Sequence, residues 1–549
     1  MSADKLRGGF YTPAPLVDAC YRRIAEMLGT SRPLHILEPA AGDGAFLRCS
    51  AEEPLLARFR EPTLTCVELI RQEADKCRQE LRRAKVPGTV VNDSFFSWAR
   101  NQTPVYDALV GNPPFVRYQF VSDVVRAPAD SLLVKTGREI AGVANLWIVF
   151  TLVGLELLKN QGAFALVLPS ELLSIMSAGL VRSELVRHFA ELQVDIYPRG
   201  AFRGLLQDVI VVSGARDPET KSERPIRFRE HSPSGIEEWS HTASDSKDAW
   251  TRYLLPAREL AAFAAARQLP EVHALGTIAT IAVSIVTGAN DFFTVDDETL
   301  NAYELKPWAM PLLGRTAESR GIIFTKQDHA AARKRGKKGW VLDFSADAPD
   351  PMQFSKPRQY LRLGEGMELP KRFKCRIREP WYRIPVVRHG ELLLPKRSHQ
   401  FHRFILNTAG ACTTDTIYRG KMKPLFAAWK RSLVAGFHNS LTILSCELEG
   451  RSYGGGVLEL VPSEIAQLCV PLVDIADQLP QLDRVCRNSG GQLDSGDTLI
   501  SATDDLLRRA FPGLKSLLPD LASARLRLRG RRFHGGCATG PNLASLSES

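Results

Sequence analysis

No run of this sequence is both apolar enough and long enough to cross a bilayer. The most apolar window, Val143 to Leu158, is interrupted by Asn145 and Glu156. Met1 to Tyr11 lacks the apolar core of a secretory signal, so a soluble cytoplasmic protein with no membrane partner is expected. The ten cysteines (20, 49, 66, 77, 375, 412, 446, 469, 486 and 537) form no C-x-x-C pair and no Cys/His cluster at zinc spacing. That argues against a zinc module or a disulfide scaffold and leaves the thiols as small buried hydrophobes in a reducing compartment, with no metal site expected. The glycine turn at Gly42 and Gly44 is not a G-x-G-x-x-G fingerprint, and no Gly-Lys-Ser/Thr follows it. A dinucleotide fold of the usual kind and a P-loop nucleotide hydrolase are both set aside. There is no internal repeat.

At 549 residues the chain is too long for one core, and two domains or three are expected. Apolar residues at 44% and charged residues at 24% are ordinary for a globular protein. A net charge of +10, with a pI near 9.1, allows a polyanionic partner. After Ala215 the composition changes: Asp217 to Lys247 is rich in charge, Ser, Pro and Glu and reads as a sheet edge and linker. The predicted division is a domain over 1–245, a second over 246–530, and a flexible tail over 531–549.

The first domain alternates strand and helix signals. Thr12 and Pro13 read as N-cap and first residue of a helix through Val17, Cys20, Ile24 and Leu28. His35 to Leu37 is a strand closed by Glu38, and Ala40-Ala-Gly-Asp-Gly44 is a tight turn whose small residues, Ala40, Gly42 and Gly44, let backbone approach a ligand. Leu64 to Leu69, with Glu68 near its end, and Val90 to Phe96, with Asn92 and Asp93, give two more strand ends. Asp107 to Val110 is a short buried strand that turns at Gly111 into Asn112-Pro-Pro-Phe115. Two successive prolines fix φ and remove two donors, so this tetrapeptide joins neither sheet nor helix. It is a stiff bracket: the Asn112 amide oxygen and the Pro113 carbonyl can accept both hydrogens of a planar amine, Pro114 stiffens the exit, and Phe115 can lie against the ring that carries the amine.

Further on, Val116 to Arg138 reads as a polar loop near substrate, in which Arg117 and Tyr118 could touch phosphate. Asn145 to Leu158 reads as an amphipathic helix, Gly162 to Pro169 as a buried strand, Ser183 to Glu191 as a helix and Gln207 to Ser213 as a strand. The order argues for a parallel α/β sheet covered on both faces. Phe202 is a candidate second aromatic beside the bracket.

Glu38-Pro-Ala-Ala-Gly-Asp-Gly44 followed by Asn112-Pro-Pro-Phe115 resembles the N6-adenine DNA methyltransferases of the gamma arrangement, the TaqI-like and Eco57I-like enzymes. The resemblance implies a class I, Rossmann-like doubly wound methyltransferase domain and a C-terminal α+β DNA-recognition domain. It implies S-adenosyl-L-methionine as cofactor: Tyr11 and Thr12 at its methionine part, the Glu38–Gly44 turn around it, Glu68 on the ribose hydroxyls, Asp93 on the adenine amino group and Phe95 packed on that adenine. It places Asn112, Pro113, Pro114 and Phe115 at catalysis on an adenine flipped out of double-stranded DNA. Asn rather than Ser before the prolines favours adenine over cytosine. A separately encoded restriction nuclease is an implied partner; a fused one is not expected, because in such fusions it precedes the first motif. RNA adenine, a protein glutamine, or nucleic-acid binding without catalysis are the alternatives.

The second half is basic and aromatic. Arg315, Arg320, Lys326, the run Arg333 to Lys338 before Trp340, and Lys371, Arg372, Lys374, Arg376 and Arg378 before Trp381 are expected to face DNA phosphate. Strand-like runs flanking Gly288 point to a hairpin or tight loop. The blocks Val286–Phe293, Thr414–Arg419 and Glu449–Gly456, with Arg451 and Tyr453, resemble recurring pieces of the recognition domain.

Overall fold

Nine strands of the first half join one sheet, and the reason is visible in how their side chains divide. A computed structural model of the chain describes residues 12–48, 55–138, 143–198, 201–202, 209–345, 347–385, 389–453, 456–489 and 495–533. The strands are β1 (His35–Glu38), β2 (Thr63–Val67), β3 (Gly88–Val91), β4 (Tyr106–Gly111), β5 (Leu158–Pro169), β6 (Phe189–Ile196), β7 (Val209–Arg216), β8 (Glu223–Ser232) and β9 (Gly235–Ser244). Their order is β3-β2-β1-β4-β5-β7-β6-β8-β9. β1 to β5 run parallel, and β7 returns antiparallel between β5 and β6.

Alternate residues of the central strands enter two different cores. Leu37, Leu109, Phe164 and Leu166 join one, while Ile36, Ala108, Val110 and Ala165 join the other. Helices α1 (Ala14–Leu28) and α2 (Arg71–Ala84) cover the second face; α3 (Phe95–Ala99), α4 (Asp123–Lys135), α5 (Leu146–Glu156) and α6 (Gly179–His188) cover the first. This is the doubly wound α/β sheet that the resemblance implies, covered on both faces as the strand-helix order predicts, but it is mixed rather than parallel throughout: β7 and β9 run antiparallel to their neighbours.

Several local expectations are corrected. The helix α1 starts one residue later than predicted: Pro13 is the N-cap residue, and Thr12 makes no capping bond. Residues 116–138 are not a loop but mainly α4, where Val125, Ala129, Leu132 and Leu133 face the core despite Pro128. α5 is not amphipathic, since every residue from Leu146 to Leu155 is buried. The helix expected to reach Glu191 ends at His188, and β6 follows. The charged segment 217–247 is mostly the hairpin β8–β9 at the sheet edge rather than a linker.

Chain packing divides after Ala257. The second unit, Arg258–Phe533, is α+β: among its described residues are sheets of five, four, three and two strands, and helices that run to Phe533. Its core includes a buried pair in which Arg532 donates to both carboxylate oxygens of Glu447, at 3.0 and 2.6 Å. The strands flanking Gly288 form no hairpin. Ala279–Ala282 pairs with Ile417–Met422, and Thr294–Val295 pairs with Trp340–Leu342. Among the described residues no helix is long and apolar enough to cross a membrane. Positions 534–549, most of the expected tail, lie outside the described residues.

One buried cation anchors the loop that follows β5. Arg182 is fully buried and donates to four carbonyls: Leu172 (2.7 Å), Ile175 (3.0 Å), Lys247 (2.6 Å) and Asp248 (2.7 Å). Its replacement leaves those acceptors without donors, each a cost of one to a few kcal/mol. Arg182→Met is expected to destabilise the first unit by about 3 kcal/mol or more, with Arg182→Lys recovering part of it; chemical denaturation measures both.

Candidate active site

Ligands in open α/β sheets bind past the carboxyl ends of the strands, and here those ends carry the motif residues. β4 is buried along its whole length and stops at Gly111, whose φ of +152° is one that glycine tolerates. A carbon added there would sit 3.4 Å from Pro39, an ordinary contact, so it is the backbone conformation rather than crowding that favours glycine. Asn112 follows. Its Nδ2 donates to the Thr12 hydroxyl oxygen at 3.2 Å, while its Oδ1 is buried with no partner among the described residues. Pro113 is buried, and Pro114 and Phe115 are half-buried. Phe115 packs against both cores, at the seam where the two faces meet. Phe202 and Tyr197 pack against the second of those cores, with their rings 5.3 Å apart, and Tyr197 stacks on His231 at 4.5 Å.

Beside the bracket, the turn after β1 is open. Gly42 (φ +55°) and Gly44 (φ +84°) adopt left-handed backbone, and a carbon added to Gly42 would meet nothing within 4 Å. The Gly42 N–H donates to Glu68 Oε2 at 2.9 Å, and the Ile70 N–H donates to Oε1 at 2.7 Å. Each carboxylate oxygen thus keeps a lone pair for a ligand hydroxyl. Burial holds the Glu68 carboxyl above its ordinary pKa, against the pull of those two backbone bonds. Asn92 ties the next loop on by donating to the carbonyls of Glu68 (2.9 Å) and Leu69 (3.0 Å). Asp93 is exposed, its Oδ1 accepting the Ser94 N–H at 2.7 Å.

Glu38 is 1% exposed, and burial raises its carboxyl well above the usual range; the Cys66 thiol approaches it at 3.7 Å. Ala40 packs on the first core. Two polar atoms that sequence reasoning did not single out also lack partners among the described residues: Asp43 Oδ1 and Ser94 Oγ, both buried. Nothing in the sequence marks them except their place beside Gly42 and Asp93.

Two expected roles meet a different geometry. The Phe95 ring is 3% exposed and stacks on Phe150 at 5.1 Å, so its face belongs to the core and is not open to a cofactor ring. Tyr118 is buried with its hydroxyl on Asp130 at 2.6 Å, which removes it as a phosphate contact; Arg117 is exposed. Tyr11 lies outside the described residues.

The basic runs of the second unit divide in two. Arg333 lies over the Trp340 ring at 4.6 Å and donates to Asp297, and Arg378 donates to the carbonyls of Val286 and Thr287; these are internal braces. Lys338 and Lys371 are ion-paired with Asp291 and Glu368. Lys334, Arg335, Lys337, Arg372, Lys374 and Arg376 are exposed. Two of the recurring blocks come together: Asn290 donates to Asp415 at 3.2 Å, and Ile285 bridges Thr414. Arg451 is held by Glu464 at 2.7 Å, and the Tyr453 side chain lies outside the described residues.

Comparison with known proteins places these features. A family model for the Eco57I restriction-modification methylase matches residues 58–192, and one for the C-terminal domain of the type II methyltransferase M.Eco57I matches 247–500. The type II methyltransferase M.AccI of Acinetobacter calcoaceticus is 22% identical over 532 residues, covering 91% of this chain and 92% of its own. The type II methyltransferase M.XamI of Xanthomonas campestris pv. amaranthicola is 22% identical over 482 residues, covering 85% of each chain. Among solved structures, the type IIL restriction-modification enzyme MmeI in complex with DNA gives a TM-score of 0.49 at 12% identity, over 94% of this chain and 72% of that one. The Asn-Pro-Pro-Phe bracket lies inside the first family match and most of the α+β unit inside the second, so the chain is similar to the Eco57I group of restriction-modification methylases in both of its units.

Proposed function

We propose that this protein transfers a methyl group from S-adenosyl-L-methionine to N6 of an adenine in double-stranded DNA, as the modification partner of a separately encoded restriction nuclease in the cytoplasm. The observation that carries the reading is the Asn112 amide oxygen, buried, unpartnered and mounted on a proline-stiffened strand end. A buried acceptor without a donor is costly unless a ligand supplies one.

The residues present fit the cofactor. The open, left-handed turn at Gly42 gives backbone-close access, Glu68 has lone pairs left for two ribose hydroxyls, and Asp93 is exposed at the next strand end. When bound, S-adenosyl-L-methionine supplies an electrophilic methyl carbon on a positively charged sulfur that leaves with the bonding pair.

The chain's own part is orientation. N6 is out of reach inside a stacked duplex, so the base must swing out. Phe115 and Phe202 offer aromatic surface from one core to receive it. Asn112 Oδ1 and the Pro113 carbonyl then accept both N6 hydrogens, which turns the nitrogen lone pair toward the methyl carbon. No side chain has to remove a proton before attack; the surplus proton leaves afterwards along a bond already made to Asn112 or Pro113. Catalysis is then mainly positioning. The exposed lysines and arginines of the second unit are assigned to phosphate, a contribution that weakens with salt.

Isotope-labelled cofactor incubated with duplex DNA, RNA or protein, followed by nucleoside mass spectrometry, tests the reading: N6-methyladenine from the duplex is expected, and label in N4-methylcytosine, RNA or protein instead would overturn it. Asn112→Ala is expected to lower methyl transfer by about 10³-fold, with cofactor affinity by calorimetry left within about twofold. Glu68→Ala is expected to weaken cofactor binding on the order of tenfold to a hundredfold. Because burial raises the Glu68 pKa and the ionised form is the acceptor, wild-type affinity for the cofactor falls as pH drops from about 7.5 to about 5, and Glu68→Gln gives a weak, flat profile.

A further inference from the structure

We propose that Thr12 is a positioning residue that sets which end of the Asn112 amide faces the target amine, and that it does so in response to an occupied cofactor site. The inference rests on the methyltransferase reading above and adds a coupling between its two ligands.

An asparagine amide has two ends of nearly equal shape and opposite hydrogen-bonding sense. Rotated by half a turn, Asn112 would present an NH2 to the incoming NH2, and catalysis by lone-pair exposure would fail. Orientation therefore has to be fixed by something other than shape. The described residues supply one partner for the amide: its Nδ2 donates to Thr12 Oγ1 at 3.2 Å, across 100 positions of sequence, and Oδ1 is left buried and unpartnered. Thr12 is free for this work because it does not cap α1. That helix starts at Ala14 with Pro13 as its N-cap residue, and the Pro13 carbonyl accepts the N–H groups of Leu16 and Val17.

A threonine hydroxyl can donate as well as accept, so holding Asn112 one way round requires that the hydroxyl proton be committed elsewhere. Among the described residues no acceptor takes it. Thr12 is half-buried beside Asn112, and an anionic ligand group reaching its hydroxyl would receive that proton. The carboxylate of the cofactor's amino-acid portion has the required chemistry. A hydroxyl that donates to an anion becomes a stronger acceptor at its oxygen, and a chain of such bonds reinforces itself. The Thr12 hydroxyl thus carries the state of the cofactor site to the amide that grips the base: when its proton is taken, its oxygen accepts Nδ2, and Oδ1 faces the substrate.

The test uses the full chain, S-adenosylhomocysteine as the cofactor-site probe, and a duplex bearing the site that wild type methylates. In wild type the probe is expected to tighten duplex binding about tenfold, a coupling of ordinary size. Thr12→Val removes both the donor and the acceptor while keeping shape; it is expected to reduce that coupling to less than about twofold and to lower kcat at saturating cofactor on the order of tenfold to a hundredfold. Thr12→Ser, which retains the hydroxyl, is expected to restore both to within about threefold. Thermal melting of each variant separates these effects from loss of fold. Asn112→Asp provides a second arm, because a carboxylate has an acceptor at either end: in that background Thr12→Val is expected to change kcat by less than about threefold.

The proposal is overturned if folded Thr12→Val keeps wild-type kcat and coupling. It is also overturned if that variant loses cofactor affinity while kcat at saturation and the coupling stay intact, which makes Thr12 a cofactor contact only. Failure of the adenine reading is seen separately, in the wild type: if the methylated amine is a different planar nitrogen, the same variants are read on that substrate.

Discussion

The strand that ends at Gly111 cannot continue, and the site depends on that stop. Two prolines deny the chain any further ladder or helix, so the residue between the last buried glycine and the first proline is held with little freedom. Asn112 occupies that position. Its amide is anchored at one end by Thr12 and open at the other, while Phe115 is seated on both hydrophobic cores. A rigid acceptor beside an aromatic wall is useful only if neighbouring strands deliver a reactive group to it, and the parallel order β3-β2-β1-β4 places three more loop ends alongside.

Those loops are tied to one another by hydrogen bonds. Gly42 and Ile70 both donate to Glu68, and Asn92 reaches back to the carbonyls of Glu68 and Leu69. The result is a polar rim above an apolar sheet, held together by the chain's own hydrogen bonds. Arg182 does similar work at the next loop, drawing four carbonyls from two separate segments onto one guanidinium.

Much of this was legible in the amino-acid order, and the misses have physical causes. β1, β2, β4 and the Gly162–Pro169 part of β5 are short apolar runs, and a sheet buried on both faces writes itself that way; β5 begins earlier, at Leu158, through the exposed Lys159, Asn160 and Gln161. β6 escaped because Glu191 has a positive φ (52°) and the ladder with β7 slips between Ala190 and Gln193; the extra residue breaks the alternation that marks a strand. β8 alternates exposed and buried positions only over Glu223–Phe228 and β9 is mostly exposed at the sheet edge, so their composition resembles a linker. α4 was hidden by Pro128, although its core-facing residues keep helical spacing. In the site, the residue types at strand ends were readable, because small turns, acids and a Pro-Pro stop announce their chemistry. The Thr12–Asn112 bond, the stacking of Phe95 on Phe150 and the withdrawal of Arg333 and Arg378 into the second unit were not, since each depends on contacts between distant positions.

The central claim is that Asn112 Oδ1 is the acceptor for the amine that is methylated. The most direct measurement is a structure of the protein with S-adenosylhomocysteine and its target duplex. The account predicts a base turned out of the helix with its amino nitrogen about 2.9 Å from Asn112 Oδ1 and its ring against Phe115. A bound duplex whose target amine is held by other residues, with Asn112 Oδ1 turned onto a protein donor, would contradict it.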